Sequence, residues 1–551
     1  MSERYIYINP TYYYLARVRT MNTSTIQTSP WAPFKSKIFS ALWVSGMIST
    51  IGVRMHEVGA AWLMTSLSSD PLMVALVQTA TTLPIFLFAL PAGAVADVVS
   101  KRKLLIIVQI MMAIVAGLLT YIVFKGTITP LLLLSFVFAL GTGAAFVAPA
   151  KQAIVPQLIP KEELQSAIAL NSVGFNLSRT IGPAIAGIAI TTIGIAAPFA
   201  FNAISFLLII GALLQWCPFR VIGDLPKEQI PGAIMTGLRY VRYSQPLKAT
   251  LWKAFSFFIS ASAFWAMLPL LVKTELNGDA KLFGLLIGMI GLGAVIGAIS
   301  LPKVKQALTP KQLVTVASLL LMVVFIVSAS VQIEALIMLV CVVFGACWIW
   351  ILSTFNVSAQ LCLPDWVRAR GLSIYLMVFF GSMSFGSLIW GLIASQIGIC
   401  NALFIAAITL GLGTFFSRKL DLNQGKALDL SPSTHWPEPI VVNNTEGGSD
   451  HDRSPVLVTV EYHVNKSDVK KFLSLMYQLG RVRKQYGAYT WNVLEESDQP
   501  GTFIEQFMDV SWLEHLRHHQ RVTGKDHALQ EKIYALHQAD KPPKVRHFLG
   551  H

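Results

Sequence analysis

Twelve apolar runs, each about as long as a bilayer is thick, decide what this chain can become. A hydrocarbon core of ~30 Å takes about 20 helical residues to cross. Backbone groups inside it must find their hydrogen bonds within the protein, so runs of this length and character become helices. They lie at about 38–65, 71–95, 103–124, 130–150, 165–192, 197–216, 250–272, 282–301, 312–331, 334–354, 370–394 and 398–416. A longer connection at 217–249 divides them into two sets of six.

Charge separates this membrane body from a soluble tail. Residues 1–420 hold 28 Lys/Arg and 12 Asp/Glu, whereas the last 131 residues hold 15 and 17, together with ten of the eleven histidines. The domain reading is therefore a polar N-terminal extension (1–34), an N-terminal six-helix half (35–216), a central loop (217–249), a C-terminal six-helix half (250–419), a Pro/Ser/Asn/Gly-rich linker (420–455) and a tail domain (456–551). The basic excess lies between apolar runs and forms no continuous face, which excludes a nucleic-acid partner. The five cysteines sit in or beside apolar segments without metal-ligand spacing and read as small apolar fillers.

Lys and Arg mark the cytoplasmic side. The connections after the second, fourth, sixth, eighth and tenth runs carry most of them, among them Lys101, Arg102, Lys103, Arg239, Lys303, Lys305, Arg368 and Arg370. The odd connections carry only Lys125, Lys273 and Lys281, so both termini are expected in the cytoplasm of a multi-pass inner-membrane protein. Met1 and Met21 both stand as candidate starts of translation.

Charges placed at membrane depth are costly and normally carry a partner and a task. Arg54, His56 and Glu57 lie in the first run and Arg179 in the fifth. Arg54 and Glu57 are three residues apart, on one helix face, and can pair. Glu57 is the one carboxylate well inside a run, which makes it the natural proton carrier, with Arg179 serving substrate or counter-charge. A static structural ion pair is the alternative, and coupling would then fall to Asp97, His56 or the substrate. Gln78, Asn171, Asn176, Asn202, Trp265, Asn356, Gln360 and Trp390 are polar or aromatic side chains in apolar runs and are candidates to line a central cavity.

Two motifs carry a resemblance. Gly93-Ala-Val-Ala-Asp97-Val98-Val99-Ser100-Lys101-Arg102-Lys103 resembles the loop signature of the major facilitator superfamily, with Val98 in place of a basic residue and Ser100 in place of glycine. The resemblance implies a cytoplasmic gate in which Gly93 lets a neighbouring helix approach and Asp97, Lys101 and Arg102 latch one conformation. In the fifth run, Ser178, Gly182 and Ala186 repeat every four residues beside Pro183 and Gly187. That stretch resembles the Gly-Pro signature of superfamily exporters and implies a hinge at Gly182, Pro183 and Gly187 and export by antiport.

The tail reads as strand (Val456–Val464), helix (Asp468–Gln485), two strands (Tyr489–Leu494 and Thr502–Val510), a broken helix (Trp512–His537) and a last strand (Val545–Phe548). That order is the split ferredoxin-like arrangement. Ser511–Thr523, taken with the membrane body, resembles the transmembrane secretion effector branch of the superfamily over roughly residues 33–548. Tails of this kind resemble cofactor-free monooxygenases that dimerise through their sheets. His515 and His519 stand four apart on one helix, but no third ligand at convincing spacing is evident, so no metal and no cofactor are expected.

The fold expected is an all-α polytopic membrane protein of twelve transmembrane helices in two six-helix halves, with a C-terminal α+β ferredoxin-like domain of the dimeric α/β barrel type. The function expected is secondary active transport, not enzymatic catalysis: proton-coupled export of small amphipathic molecules, such as a drug or siderophore-like metabolite, by alternating access. Its partners are the small-molecule substrate, the proton, the lipid bilayer and a second copy through the tail. No phosphate-binding loop of the Walker type is present to couple ATP directly. A facilitator or importer of the same fold, or a membrane-tethered monooxygenase-like enzyme, remains open on the residues alone.

Overall fold

A computed structural model of the chain describes residues 31–154, 158–159, 163–216, 230–364, 366–422, 429–430, 433, 455–538 and 542–550. The expected N-terminal extension up to residue 30, the start of the central loop and most of the linker lie outside the described residues, as do the side chains of Asp97 and Asn176.

Among the described residues, twelve helices are long and apolar enough to cross a membrane. They are α1 (Lys37–Leu67), α2 (Pro71–Val98), α3 (Lys101–Phe124), α4 (Pro130–Ile154), α5 (Leu164–Thr192) and α6 (Ala197–Gln215), then α8 (Gln245–Leu270), α9 (Ala280–Ala307), α10 (Pro310–Ser330), α11 (Glu334–Leu361), α12 (Arg368–Ile397) and α13 (Ile399–Ser417). Side chains cap the starts of several of them: Asp70 Oδ1 accepts from Leu72 N at 2.9 Å, and Asp279 Oδ1 from Leu282 N at 2.9 Å. Thr309 and Gln312 close a capping box at the start of α10.

The central connection differs from its expected form. It contains a helix, α7 (Ile230–Tyr243), and the next span begins at Gln245 rather than near residue 250. Gln245 and Lys248 make this first turn look polar, yet Pro246 near the helix start is compatible with an early first turn. At its other end α8 passes through Pro269 into a π-helical turn, Leu271–Glu275.

The two halves meet along α2–α12 and α5–α9. Small residues bring these helices together. A Cβ added at Gly391 of α12 would lie 2.6 Å from Ala75 Cβ of α2, and one at Gly187 of α5 would lie 2.8 Å from the Ala280 carbonyl oxygen of α9. The Thr79 hydroxyl donates to Ser384 O at 3.1 Å across the first seam. At the end of the bundle carrying the odd connections, Trp62 stacks on Phe283 at 5.8 Å and Lys273 Nζ donates to Thr65 O.

The tail forms a four-stranded antiparallel sheet in the order β2-β3-β1-β4, where β1 is Val456–His463, β2 Thr490–Glu495, β3 Thr502–Asp509 and β4 Lys544–Leu549. Its helices are α14 (Val469–Tyr486), α15 (Trp512–Arg521) and α16 (Gly524–Tyr534). Val458 faces Phe507 on one side and His547 on the other, and the β1 residues Val456, Val458, Val460 and Tyr462 alternate into the core. An ion pair lies in that core. Glu505 is fully buried and accepts from Arg483 Nε at 3.0 Å, Trp491 Nε1 at 3.0 Å and the Tyr462 hydroxyl at 3.3 Å.

The tail sits against the membrane body on the side of the central connection. Helix α14 packs against α7, Arg239 Nη1 donates to Gly487 O at 3.3 Å, and Trp366 lies between the Tyr486 ring, 5.7 Å away, and the Arg521 guanidinium, 4.8 Å away. The Tyr240 hydroxyl ties α7 to the end of α11 by donating to Cys362 O at 2.9 Å.

Removing the buried carboxylate strands the Arg483 charge in an apolar core. Glu505→Ala should cost the tail about 3–5 kcal/mol, read as an early Trp491 fluorescence transition on heating the full-length protein. Loss of well under that amount would show that the pair contributes little.

Candidate substrate cavity and charged cluster

At the junction of the two halves lies a cavity of about 430 Å³. It falls within the range of small-molecule sites, which are mostly apolar with a few placed polar groups. Its walls come from both halves: α1 to α6 on one side, α8, α9, α11 and α12 on the other. Aromatic side chains supply much of the lining, among them Phe175, Trp265, Phe283, Trp348, Phe379 and Phe380.

The charges sit in this wall. Arg54 Nη1 donates to Glu57 Oε2 at 2.6 Å, one helical turn apart on α1, and both side chains keep about a third of their surface exposed. The Arg179 guanidinium lies 6.0 Å from the Trp265 ring centre, so a residue of each half takes part in the contact. His56 packs edge-on against Phe199 at 5.3 Å, and neither ring nitrogen has a hydrogen-bond partner among the described residues. Asn202 Oδ1 and Trp265 Nε1 are likewise buried without a partner. Buried polar atoms are normally satisfied, so three orphaned groups around one cavity mark a place where a ligand or water completes the bonding.

Of the residues expected to line a cavity, the structure brings Gln78, Asn202 and Trp265 to it, along with Arg54, His56, Glu57, Arg179 and Pro183. Others do different work. Trp390 Nε1 donates to Ile259 O at 2.7 Å and joins α12 to α8, while Gln360 Nε2 donates to Asn356 Oδ1 at 3.3 Å near the exposed end of α11. Asn171, on the first turns of α5, is not among the lining residues.

The loop signature also differs from expectation. A Cβ at Gly93 would meet nothing within 4 Å, so among the described residues no neighbouring helix packs closely on that glycine. Arg102 turns to the end of α6, donating from Nε to Leu213 O at 3.0 Å and from Nη2 to Leu214 O at 2.7 Å. A guanidinium there satisfies the carbonyls that a helix C-terminus leaves open. Lys101 opens α3. Helix α5 has the close contacts its small residues suggest. A Cβ at Gly182 would sit 2.8 Å from Arg54 Cβ, and one at Gly284 would sit 2.6 Å from the Pro183 carbonyl oxygen, while the Ser178 hydroxyl donates to Gly174 O at 2.8 Å.

Two of the three histidines of α15 are not exposed as an amphipathic surface helix would have them. His515 and His518 are buried, and both face Asp509, with His515 Nδ1 at 2.8 Å and His518 Nδ1 at 3.3 Å from Oδ2. Burial works against the Asp509 carboxylate, but His518 and His515 outweigh it and hold the group below the usual carboxylate range. A third imidazole does exist. His547 of β4 stands 5.0 Å from the His515 ring and 6.5 Å from that of His519. Burial and the surrounding imidazoles push His519 down to about 3, so it is neutral at pH 7.

Twelve spans in two halves around a shared cavity define a membrane transporter. The sequence matches the transmembrane secretion effector family over residues 28–551, and the chain belongs to that family. It is 24% identical to the Staphyloferrin A transporter of Staphylococcus aureus, over 69% of this chain and 96% of that one. It is 25% identical to the multidrug efflux pump Tap of Mycolicibacterium fortuitum, over 66% and 91%, and 24% identical to the enterobactin exporter EntS of Escherichia coli, over 54% and 70%. Among solved structures, a bacterial homologue of the human lysosomal transporter Spinster superposes with a TM-score of 0.56 at 13% identity, covering 70% of this chain and 97% of the other. The nucleoside transporter NupG gives 0.55 at 12%, covering 70% and 98%. The chain is accordingly a multi-pass inner-membrane transporter of the major facilitator fold.

Gly187 and Gly284 face each other backbone to backbone across the α5–α9 seam. Gly187→Leu should lower thermal stability in detergent by about 1–3 kcal/mol or more, as over-packing does. An unchanged unfolding temperature would mean the seam yields freely.

Proposed function

We propose that the protein is a proton-coupled exporter of small amphipathic molecules, drug-like or siderophore-like, working by alternating access. The observation that carries this reading is the Arg54–Glu57 pair in the wall of a cavity shared by both halves, with Arg179 also lining it. The carboxylate is held by a guanidinium, yet enough of it faces the cavity to meet a substrate. Substrate amines or hydroxyls and the proton then compete for one acceptor. A proton arriving from outside neutralises Glu57 and releases the substrate, and loss of that proton to the cytoplasm restores the acceptor. The aromatic walls take the apolar part of the molecule, and Arg54 and Arg179 supply the counter-charge.

Support for alternating access comes from where the halves touch. Contacts such as Trp62–Phe283, Lys273–Thr65 and Gly187–Ala280 lie toward the ends that carry the odd connections, which the distribution of Lys and Arg assigns to the outside. The resting form is then sealed outward, with both termini and the tail in the cytoplasm. Helix α5 pivots at Gly182, Pro183 and Gly187, and the Asp97 loop with Gly93, Lys101 and Arg102 latches another state of the cycle. The relatives named for export and efflux agree with this direction.

The tail is read as a ferredoxin-like module that pairs with a second copy through its sheet. Leu494 and Phe548 are exposed, and their cross-strand partners Ile504 and Leu457 alternate with core residues, which turns all four away from the core. Changing Leu494 and Phe548 together to Glu should convert a dimer in detergent to a monomer by light scattering, and a wild type already monomeric would remove the dimer.

The test of transport is efflux of a panel of fluorescent amphipathic dyes from energised cells. Wild-type extrusion should stop with an uncoupler, and Glu57→Gln at equal expression should fall to the level of cells lacking the protein. Equal extrusion by the variant would take Glu57 out of the coupling.

A further inference from the structure

We propose that His515, His519 and His547 form a three-imidazole site for a divalent first-row transition metal, zinc by preference, and that Asp509 holds His515 in the ligating tautomer. This stands apart from the transport reading.

The argument starts from the strand register. His547 on β4 lies opposite Val458, a core residue of β1, so its side chain shares the face that carries the core. On α15, His515 and His519 are one turn apart and face the same way, with ring centres 4.7 Å apart. A residue 28 positions further along the chain is thereby brought to the pair. One ligand nitrogen from each of the three lies within 4.8 Å of the others. Bonds of about 2.0–2.1 Å to a tetrahedral ion need these atoms about 3.4 Å apart. Ring rotations that draw the atoms together by up to about 1.4 Å would complete the geometry.

A second observation points to a ligand. The Asp509 carboxylate lies 2.8 Å from His515 Nδ1, and a neutral imidazole that donates from that nitrogen offers its lone pair at the other, Nε2. It is buried, in a side chain only 1% exposed, and has no hydrogen-bond partner among the described residues. A carboxylate that fixes one nitrogen of a histidine while the other binds metal is the usual outer-shell arrangement of zinc sites. Trp512 walls the site, 5.4 Å from His515 and 6.2 Å from His547.

The donor set selects the ion. Three nitrogens without a thiolate or a coordinating carboxylate suit zinc, cobalt, nickel or copper, and not calcium or magnesium. The Asp509 oxygens are taken up by His515 and His518. Three protein ligands leave a fourth position for water or an anion, as in open zinc sites.

The experiment uses the full-length protein without a polyhistidine tag, purified in detergent and stripped with a chelator. Cobalt is titrated in and followed by its visible absorption, and zinc affinity is read by competition with a chromophoric chelator. The wild type should bind one ion per chain and give the intense visible bands of tetrahedral cobalt. His519→Gln and His547→Gln should remove those bands, and Asp509→Asn should weaken zinc binding by roughly 10–100-fold. His527→Gln, outside the cluster, should change nothing. Melting of the metal-free proteins checks that each variant is folded, and the wild-type spectrum stands as a test without any variant. Absence of tetrahedral bands in the wild type, or binding that survives in folded His519→Gln and His547→Gln, would overturn the site.

Discussion

Hydrocarbon offers no hydrogen-bond partner, and the membrane body is organised by that single lack. It forces the backbone into helices and makes every polar side chain at depth answer for its position. Arg54 and Glu57 answer by pairing one turn apart, Trp390 by reaching the Ile259 carbonyl, and Ser178 by turning to its own helix at Gly174. His56, Asn202 and Trp265 leave atoms without a partner among the described residues, and all three stand at the central cavity. Three of the unsatisfied groups thus stand where the helices part, which is where a polar molecule can enter.

The same lack shapes the seam between the halves. Lipid tails are as apolar as leucine, so hydrophobicity does not drive one half onto the other, and close backbone packing must do it. Gly187, Gly284 and Gly391 permit that approach. Contacts of this kind separate cleanly, because they consist of short-range packing with few side chains to untangle. A transporter that works by opening and closing a seam needs that property. The tail follows other rules, being held by an ordinary apolar core and by one carboxylate with three donors.

How much was legible in the sequence follows from how local each signal is. The number and order of the spans, the Arg54–Glu57 pair and the order of tail elements are set within a few residues or by period, and the structure has them, though several spans run longer than expected. The cavity wall is harder to read. Phe379 and Trp348 line it, yet in composition they look like any buried aromatic, and only the arrangement of helices tells them apart. Polarity alone misleads in the other direction, since Asn356, Gln360 and Trp390 satisfy themselves away from the cavity. Gly93 shows that a motif can be present without its contact being made in a given conformation. His547 was invisible beside His515 because a strand crossover, not helical spacing, brings them together.

The docking of the tail has a mechanical consequence. Its anchors are Arg239 on α7 and Trp366, just before α12, and α7 is itself fastened to α11 through Tyr240. All of these belong to the central connection or the second set of six helices. A soluble domain fixed in this way travels with one side of the rocker, like a pointer mounted on one arm of a balance. A few degrees of tilt at the seam become a displacement of several ångströms at the pointer's far edge. A pair of spectroscopic labels, one on the tail and one on the first half, would therefore magnify a motion too small to follow inside the membrane.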